Sequence, residues 1–216
     1  MLLNNLKQKI TRKKLLDFIR KNKSSLHTLD LGCGNAPYKH LFSDRIGFDN
    51  KSGEGVDVVG DAHKLPFKNE EFDTVLCSEV LEHLHSPEIA LAEMKRVLKS
   101  GGILILTTRF IYPIHDAPND YWRFTKYGLR YLLKDWEITN FEEESSTTET
   151  IVILWQRIML QTNIFYWPVF KWFFYIIFRL LFLNKIFISQ EYGDITHKEK
   201  ERNILCSGYH LIAKKK

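Results

Sequence analysis

Residues 26–38 read Leu-His-Thr-Leu-Asp-Leu-Gly-Cys-Gly-Asn-Ala-Pro-Tyr, and this stretch decides the fold. The apolar residues at its start predict a short buried strand that runs directly into Gly32-Cys33-Gly34. Two glycines one residue apart allow a sharp turn and leave no side chain above the backbone. A ligand can then lie against the main chain, as it does beyond the carboxyl ends of strands in open α/β sheets.

The glycine pair by itself is a weak signal. The position of a third glycine in the dinucleotide fingerprint Gly-x-Gly-x-x-Gly is occupied by Pro37, so that fingerprint is absent. An ordinary tight turn therefore remains an alternative interpretation of this pair.

The remaining pattern alternates strands and helices. A basic amphipathic helix is predicted over 2–22, and a short helix over 35–42 starts at Pro37. A longer helix over 87–99 is expected to end at Gly101-Gly102, and Thr125 is expected to cap a helix over 126–133. Strands are predicted at 26–31, 45–49, 56–60, 72–78, 103–108, 136–144 and 206–214. Such alternation predicts an α/β fold with a parallel, doubly wound sheet.

Composition narrows the class of protein. The 216 residues carry a net charge of +5 and three widely spaced cysteines, which favours neither a disulfide framework nor a cysteine zinc site. A reducing cytoplasmic setting fits best, and the N-terminus lacks the pattern of a signal peptide. The basic residues concentrate towards the two ends, which suggests an anionic partner or simply a solvated surface.

Several motifs together resemble the class I S-adenosylmethionine-dependent methyltransferases of the small-molecule type. They are Leu-Asp-Leu-Gly-Cys-Gly at 29–34, Gly-Phe-Asp at 47–49, Gly-Asp-Ala-His-Lys-Leu-Pro-Phe at 60–67, Phe-Asp-Thr-Val-Leu-Cys-Ser-Glu-Val-Leu-Glu-His-Leu at 72–84 and Leu-Lys-Ser-Gly-Gly-Ile-Leu at 98–104. The resemblance implies a Rossmann-like sheet, mostly parallel, with an antiparallel last strand. Ala36 departs from the family pattern, which often has a third glycine there.

The resemblance also implies S-adenosylmethionine as the cofactor and a set of residues that bind it. The amino-acid end of the cofactor is assigned to Asp30, Gly32 and Gly34, and the ribose to Asp49. The adenine is assigned to Asp61 and the backbone of Ala62, and the opening after the fourth strand to Ser78 and Glu79. Taken singly, either Asp49 or Asp61 is equally typical of a helix cap or a turn.

A second informative stretch follows the fifth parallel strand. Its pattern Pro-x-His-x-x-Pro-x-Asp-Tyr-x-Arg-Phe-Thr, residues 113–125, resembles bacterial methyltransferases associated with surface-glycan synthesis. In that position the stretch would form one wall of the site that binds the methyl acceptor, with His115 as the catalytic base. The substrate-binding residues predicted here are Tyr112, His115, Asp120, Tyr121 and Arg123. A rigid structural loop is the alternative for Asp120 and Arg123.

No metal site is expected. The adjacent Glu82-His83 pair lacks the helical i, i+4 spacing of ligands, and the family resemblance gives this segment no metal role.

Residues 149–203 are predicted to form a hydrophobic helical insertion within a methyltransferase domain made of 1–148 and 204–216. The length of the apolar segment 164–183 permits a membrane span, but its two charges, Lys171 and Arg179, and Pro168 argue against one. A peripheral helix at the inner face of the membrane, a lid over the site and a dimer contact all remain open.

The resulting hypothesis is methyl transfer from S-adenosylmethionine to an oxygen or nitrogen of a small-molecule, glycan or lipid-linked glycan acceptor. The alternatives are a lipid or quinone methyltransferase and a non-catalytic, membrane-associated binding module of the same fold. Nucleic acid is disfavoured as a partner because no Asn/Asp-Pro-Pro-aromatic motif follows the fourth strand, where Ser78-Glu79-Val80-Leu81 stands. Neither the acceptor nor the oligomeric state follows from the sequence.

Overall fold

The computed structural model describes residues 10–162, 173, 176 and 190–216. Contacts divide the chain into two compact units. The sheet unit comprises 15–110, 114–142 and 209–216, and the second unit comprises 1–14, 111–113 and 143–208.

A seven-stranded sheet organises the sheet unit, in the order β3-β2-β1-β4-β5-β9-β6. Its strands are β1 (Thr28–Leu31), β2 (Arg45–Asp49), β3 (Val58–Val59), β4 (Phe72–Ser78), β5 (Leu98–Arg109), β6 (Trp136–Glu143) and β9 (Gly208–Lys215). Strands β1 to β5 pair in parallel. The reversal of strand order beside β1 creates the crevice where α/β sheets bind ligands.

The last strand runs antiparallel between β5 and β6. Lys215 Nζ donates to the Leu98 carbonyl at the start of β5, whereas Thr139 Oγ1 in β6 donates to the Ile212 carbonyl. The α/β fold with a mostly parallel sheet and an antiparallel last strand, predicted from the sequence, is confirmed.

Helices α1 (Ile10–Lys21), α2 (Pro87–Val97) and α3 (Lys126–Leu132) flank these strands in the chain. Helix α2 begins at Pro87. Proline has no amide hydrogen, and at the first position of a helix that hydrogen would have no partner within the helix. The predicted cap of α3 is confirmed, since the Thr125 side chain accepts from the Gly128 amide at 3.0 Å. One core cluster joins the C-terminal part of α1 to the sheet through Leu15, Phe18, Ile19, Tyr38, Phe42, Leu76 and Ile105.

Three local predictions differ from the structure. The helix predicted over 35–42 is only a 3-10 turn, Lys39–Leu41. The strand predicted from residue 26 begins at Thr28, with Leu26 exposed. The Gly101-Gly102 pair lies inside β5 rather than at the end of a helix, because α2 has already ended at Val97 and Gly101 adopts a φ of +76° within the strand.

The second unit contains α4 (Thr147–Gln161) and a small hairpin of β7 (Glu191–Tyr192) and β8 (Lys200–Glu201). A capping box begins α4, in which the Ser146 side chain accepts from the Glu149 amide and Glu149 accepts from the Ser146 amide. The helix starts two residues before the predicted insertion boundary at 149. The assignment of 149–203 as a separate insertion stays a prediction.

Most of the hydrophobic segment 164–183 lies outside the described residues, and the helix predicted there and its membrane, lid or dimer role stay predictions. Within the part of the chain that the structure describes, no helix has both the length and the apolar character needed to cross a membrane.

Candidate functional site

The glycine turn after β1 has the open geometry that the sequence predicts. Gly32 adopts a φ of +69°, and an added Cβ would lie 2.3 Å from Val80 Cγ2, so no side chain fits there. Gly34 adopts a φ of +52° and has open space at the Cβ position. Its amide donates to Asp49 Oδ2 at 2.8 Å, which joins the turn to the end of β2.

A cavity of about 790 Å³ lies at the carboxyl ends of the parallel strands. This volume is within the range of small-molecule and cofactor sites. Six of the predicted site residues line it, namely Gly32, Asp49, Asp61, Ala62, Glu79 and Tyr121. Its wall also includes Phe48, Gly60, His63, Val80, His83, His85 and Asp116.

Two carboxylates face this cavity from neighbouring strand ends. Asp49 also accepts from the Lys51 amide at 3.3 Å, and its position at the end of β2 is set by that strand. Asp61 accepts from both the amide and the ring nitrogen Nδ1 of His63, at 2.9 and 2.6 Å. These hydrogen bonds, of which the one from the His63 amide has the larger effect, hold the pKa of Asp61 below its usual value. Both groups therefore present acceptors for the hydroxyl or amino groups of a nucleoside.

Asp30 is not among the residues that line the cavity. Its carboxylate is 3% exposed and accepts from Arg45 Nε at 2.7 Å. Arg45 also donates to the Gly55 carbonyl at 3.0 Å, so the pair ties β1 to β2 and the loop after it. Burial raises the pKa of Asp30 while Arg45 opposes that rise. The predicted direct contact of Asp30 with a cofactor stays a prediction, and the position observed is that of a support behind the turn.

Ser78 and Glu79, at the end of β4, differ in their position relative to the cavity. Ser78 Oγ lies 3.3 Å from Thr107 Oγ1 and is absent from the cavity wall. Glu79 lines the cavity in the left-handed conformation, with a φ of +59°. Its carboxylate accepts from Thr107 Oγ1 at 3.0 Å and forms an ion pair with Arg109. Residues from β5 therefore position Glu79 at the opening.

The loop after β5 is anchored to the 3-10 turn Leu81–His83 by main-chain contacts. The amides of Tyr121 and Trp122 both donate to the Glu82 carbonyl, at 3.0 and 3.1 Å. His83 Nδ1 lies 2.7 Å from the Asn119 carbonyl, and Trp122 Nε1 donates to the Leu84 carbonyl at 3.0 Å. This anchoring brings residues 114–124 to the cavity.

His115, the predicted catalytic base, stands behind the cavity wall rather than in it. The rings of His83 and His115 are 4.7 Å apart, and His83 is the one that lines the cavity. Burial lowers the pKa of His115 to about 4, so the imidazole is neutral at pH 7. A neutral imidazole can accept a proton, and the neighbouring His83 ring and Asp116 line the cavity between them.

Asp120 and Arg123 form a half-buried ion pair. Arg123 donates to both oxygens of Asp120 at 2.6 Å, and Asp120 Oδ2 also accepts from the His115 amide at 2.9 Å. The Arg123 bonds hold the pKa of Asp120 well below its usual range, at about 2. This geometry supports the structural alternative for both residues, since neither lines the cavity.

Tyr112 belongs to the second unit, where the Arg157 guanidinium lies 4.9 Å from the centre of its ring. The predicted substrate contact of Tyr112 stays a prediction.

The main feature that the sequence did not predict is a partly buried acid–histidine cluster of Glu82, His83 and His115, in which Glu82 is buried and the two histidines are half-buried. One ligand atom from each lies within 4.8 Å of the others. The adjacent Glu82-His83 pair was visible in the sequence, but the third member is 32 residues away. Only the anchoring of the loop to the 3-10 turn brings it close.

Comparisons with known proteins agree with this geometry. A family model described as "Methyltransferase domain" matches residues 29–106, the segment from β1 to β5. An uncharacterized protein of Methanocaldococcus jannaschii is 31% identical over 150 residues, which cover 63% of this chain and 55% of that protein. A demethylmenaquinone methyltransferase of Thermobifida fusca is 44% identical over 66 residues, 29% of this chain and 28% of that protein.

The fold also matches a solved structure from Thermotoga maritima described as an S-adenosylmethionine-dependent methyltransferase, possible histamine N-methyltransferase. The TM-score is 0.58 at 15% identity, over 96% of this chain and 92% of that one. At this identity the likeness shows the fold. The chain spans about half or less of the length of the two sequence relatives, 55% and 28%.

Proposed function

We propose that this chain, which carries a class I methyltransferase domain at residues 29–106, transfers a methyl group from S-adenosylmethionine to an oxygen or nitrogen of an acceptor. The observation that carries the proposal is the cavity at the strand ends, where the open glycine turn meets the carboxylates of Asp49 and Asp61. S-adenosylmethionine is the cofactor that this domain implies.

The residues present fit this cofactor. Gly34 leaves open space above the turn, where a Cβ would otherwise stand. Asp49 supplies a carboxylate for the ribose hydroxyls, and Asp61 supplies one for the adenine amino group. An alternative, a binding module without activity, would leave these same groups in place, so catalysis must be tested separately.

The cofactor supplies an activated methyl group, and the protein's part is to place a nucleophile in line with it. In this proposal Tyr121, His83 and Asp116 form the wall against which the acceptor lies. His115 remains the proposed base, reached through His83 or a solvent molecule, for an acceptor that loses a hydroxyl proton. Glu79 and Arg109 would shape the opening through their ion pair.

Calorimetry with S-adenosylmethionine and with its demethylated product tests donor binding. We expect dissociation constants near 1 μM, which correspond to about 8 kcal/mol. Asp49→Ala should weaken both ligands by about 10- to 100-fold, because a charged acceptor contributes about 1.5–3 kcal/mol. Asp44→Ala is the matched control, since Asp44 immediately precedes the other end of β2 and pairs with His27. No binding by the folded wild type would refute the proposal.

For the acceptor we propose a hydroxyl-bearing glycan or lipid-linked glycan. Sugar rings stack on exposed aromatic surfaces, and Tyr121 lines the cavity while Trp122 beside it is partly exposed. A lipid or quinone is the second candidate, favoured by the similarity to a demethylmenaquinone methyltransferase. Incubation with labelled methyl donor and separate glycan, lipid and RNA extracts distinguishes them, and label in RNA alone would contradict both.

We further propose that the protein contacts the cytoplasmic face of a membrane through 164–183, with help from the basic residues near the N-terminus. Co-sedimentation with anionic vesicles at two salt concentrations tests this contact. Replacement of Phe173 and Phe174 by Ser should release the protein from the vesicles and leave donor binding unchanged. Wild type that stays in the supernatant at low salt would contradict membrane contact and leave a lid or a dimer as explanations.

A further inference from the structure

We propose that the partly buried acid–histidine cluster of Glu82, His83 and His115 is a binding site for one divalent transition-metal ion, with Zn²⁺ as the best match. Two imidazoles and one carboxylate form a ligand set found in catalytic zinc sites. The site does not depend on the methyltransferase proposal. Only the role of the ion, to bind a hydroxyl oxygen of the acceptor, rests on that proposal, and in the metal-bound protein His115 is a ligand of the ion instead of the base.

The first argument is the state of Glu82. This side chain is fully buried, and Thr108 Oγ1 donates to its Oε2 at 2.6 Å. Its Oε1 has no hydrogen-bond partner among the described residues and lies 4.0 Å from His115 Nε2. That separation is too long for a hydrogen bond, and an unpaired buried carboxylate oxygen is costly. A cation at this position would give Glu82 Oε1 a partner, with His115 Nε2 as a second ligand.

The second argument is the orientation of the two imidazoles. His83 Nδ1 lies 2.7 Å from the Asn119 carbonyl, which favours the tautomer with a proton on Nδ1 and leaves the lone pair on Nε2. Metal-ligating histidines have this arrangement, with the other ring nitrogen held by an oxygen. His115 Nδ1 lies 3.5 Å from Asp120 Oδ2, beyond normal hydrogen-bond length, so orientation supports His83 as a ligand and proximity supports His115.

The third argument is the position of the cluster. His83 and Asp116 line the cavity, and Asp116 Oδ2 lies 4.0 Å from His83 Nε2. The Asp116 side chain is 82% exposed, so its carboxylate is accessible from the cavity. An ion held by three buried or half-buried ligands would therefore face the cavity, with Asp116 or an acceptor oxygen as the fourth ligand.

Small movements are enough to form the site. Zinc bonds of about 2.0–2.2 Å place tetrahedral ligand atoms about 3.3 Å apart. The three ligand atoms lie within 4.8 Å of one another, so each pair must close by at most about 1.5 Å. Side-chain rotation supplies such a change without movement of the main chain, which is held by the bonds to the Glu82 carbonyl.

The test is titration of the metal-free protein with Zn²⁺, followed by Co²⁺ as a spectroscopic probe. We expect one ion per chain at micromolar affinity or tighter, and a visible Co²⁺ absorption band typical of mixed nitrogen and oxygen ligands. Glu82→Gln, His83→Ala and His115→Ala should each weaken Zn²⁺ by about 100-fold or more. His85→Ala is the matched control, because His85 lines the same cavity and stacks on His63 but is outside the cluster.

Glu82→Gln keeps the shape of the side chain and His83→Ala removes a partly exposed ring, so at least one variant should fold. Absence of stoichiometric Zn²⁺ binding by the wild type would overturn the proposal. Equal affinity in the cluster variants and the wild type would also overturn it, since the ion would then lie elsewhere. Zn²⁺ is titrated without S-adenosylmethionine, so failure of donor binding does not affect this result.

Discussion

The two sides of the cavity are built in different ways. The proposed donor side consists of the glycine turn and the strand-end carboxylates of Asp49 and Asp61, and its groups are backbone amides, one half-buried acid and one exposed acid. The proposed acceptor side contains the cluster of Glu82, His83 and His115, in which one buried and two half-buried side chains come from two segments far apart in the chain. The donor side therefore depends on local backbone geometry, whereas the acceptor side depends on how a loop is anchored.

The largest expected effect is on the acceptor side. His115→Ala should lower the turnover rate by about 10²- to 10⁴-fold, the contribution typical of a base or a comparable catalytic group. Donor affinity should be nearly unchanged because His115 does not line the cavity. Single-turnover kinetics and donor calorimetry measure the two quantities, with the surface variant His40→Ala as control. A parallel loss of donor affinity would indicate a collapsed loop and weaken the distinction between the two sides.

The next effect concerns the support behind the donor side. Arg45→Met leaves the Asp30 carboxylate buried without its partner, which should lower the free energy of unfolding by about 3–5 kcal/mol. The double variant Arg45→Met with Asp30→Leu removes both charges and should lose much less stability. Urea unfolding followed by fluorescence measures both. Equal losses of unfolding free energy in the single and double variants would show that Arg45 does not stabilise the buried Asp30 carboxylate.

A smaller effect tests the strain of the glycine turn. Ala36 adopts a φ of +47°, a conformation that costs a non-glycine residue about 1–2 kcal/mol. Ala36→Gly should raise the free energy of unfolding by about 0.5–1 kcal/mol, after the greater freedom of glycine in the unfolded chain is subtracted. Ala92→Gly, at an exposed position in α2, should lower it by about 0.5–1 kcal/mol. Destabilisation by Ala36→Gly would contradict the strain.

The smallest effect is a pH dependence away from both sides. Arg96 joins α2 to the loop at 65–69 and forms hydrogen bonds to Glu93, which hold the pKa of Glu93 below its usual value of 4.5. The stabilisation is therefore complete above about pH 4.5 and is lost as the pH falls below it. Because the pair is partly exposed, its contribution should stay below about 1 kcal/mol.

Unfolding of the wild type and of Glu93→Gln between pH 7 and pH 3 measures this contribution. The difference in stability between the two proteins should shrink as the pH falls. A constant difference would mean that Glu93 acts through packing rather than through its charge.

The sequence by itself determined the sheet and the donor side. Buried runs such as Phe72–Ser78 predict strands from their own residues, and Gly32, Asp49 and Asp61 each stand at a strand end. Because parallel strands end at one edge, these residues meet wherever the sheet forms. The short helix over 35–42 failed because that segment has to close a turn with Ala36 at positive φ, which no periodicity signals.

Only the tertiary structure decided the acceptor side. The bonds from the Tyr121 and Trp122 amides to the Glu82 carbonyl place His115 beside a carboxylate 33 residues earlier in the chain, and Arg45 buries Asp30 behind the turn. The Asp120 and Arg123 side chains bond to each other and do not line the cavity. Such contacts depend on loop closure over many residues, and side-chain type and spacing along the chain do not encode the distance between their atoms.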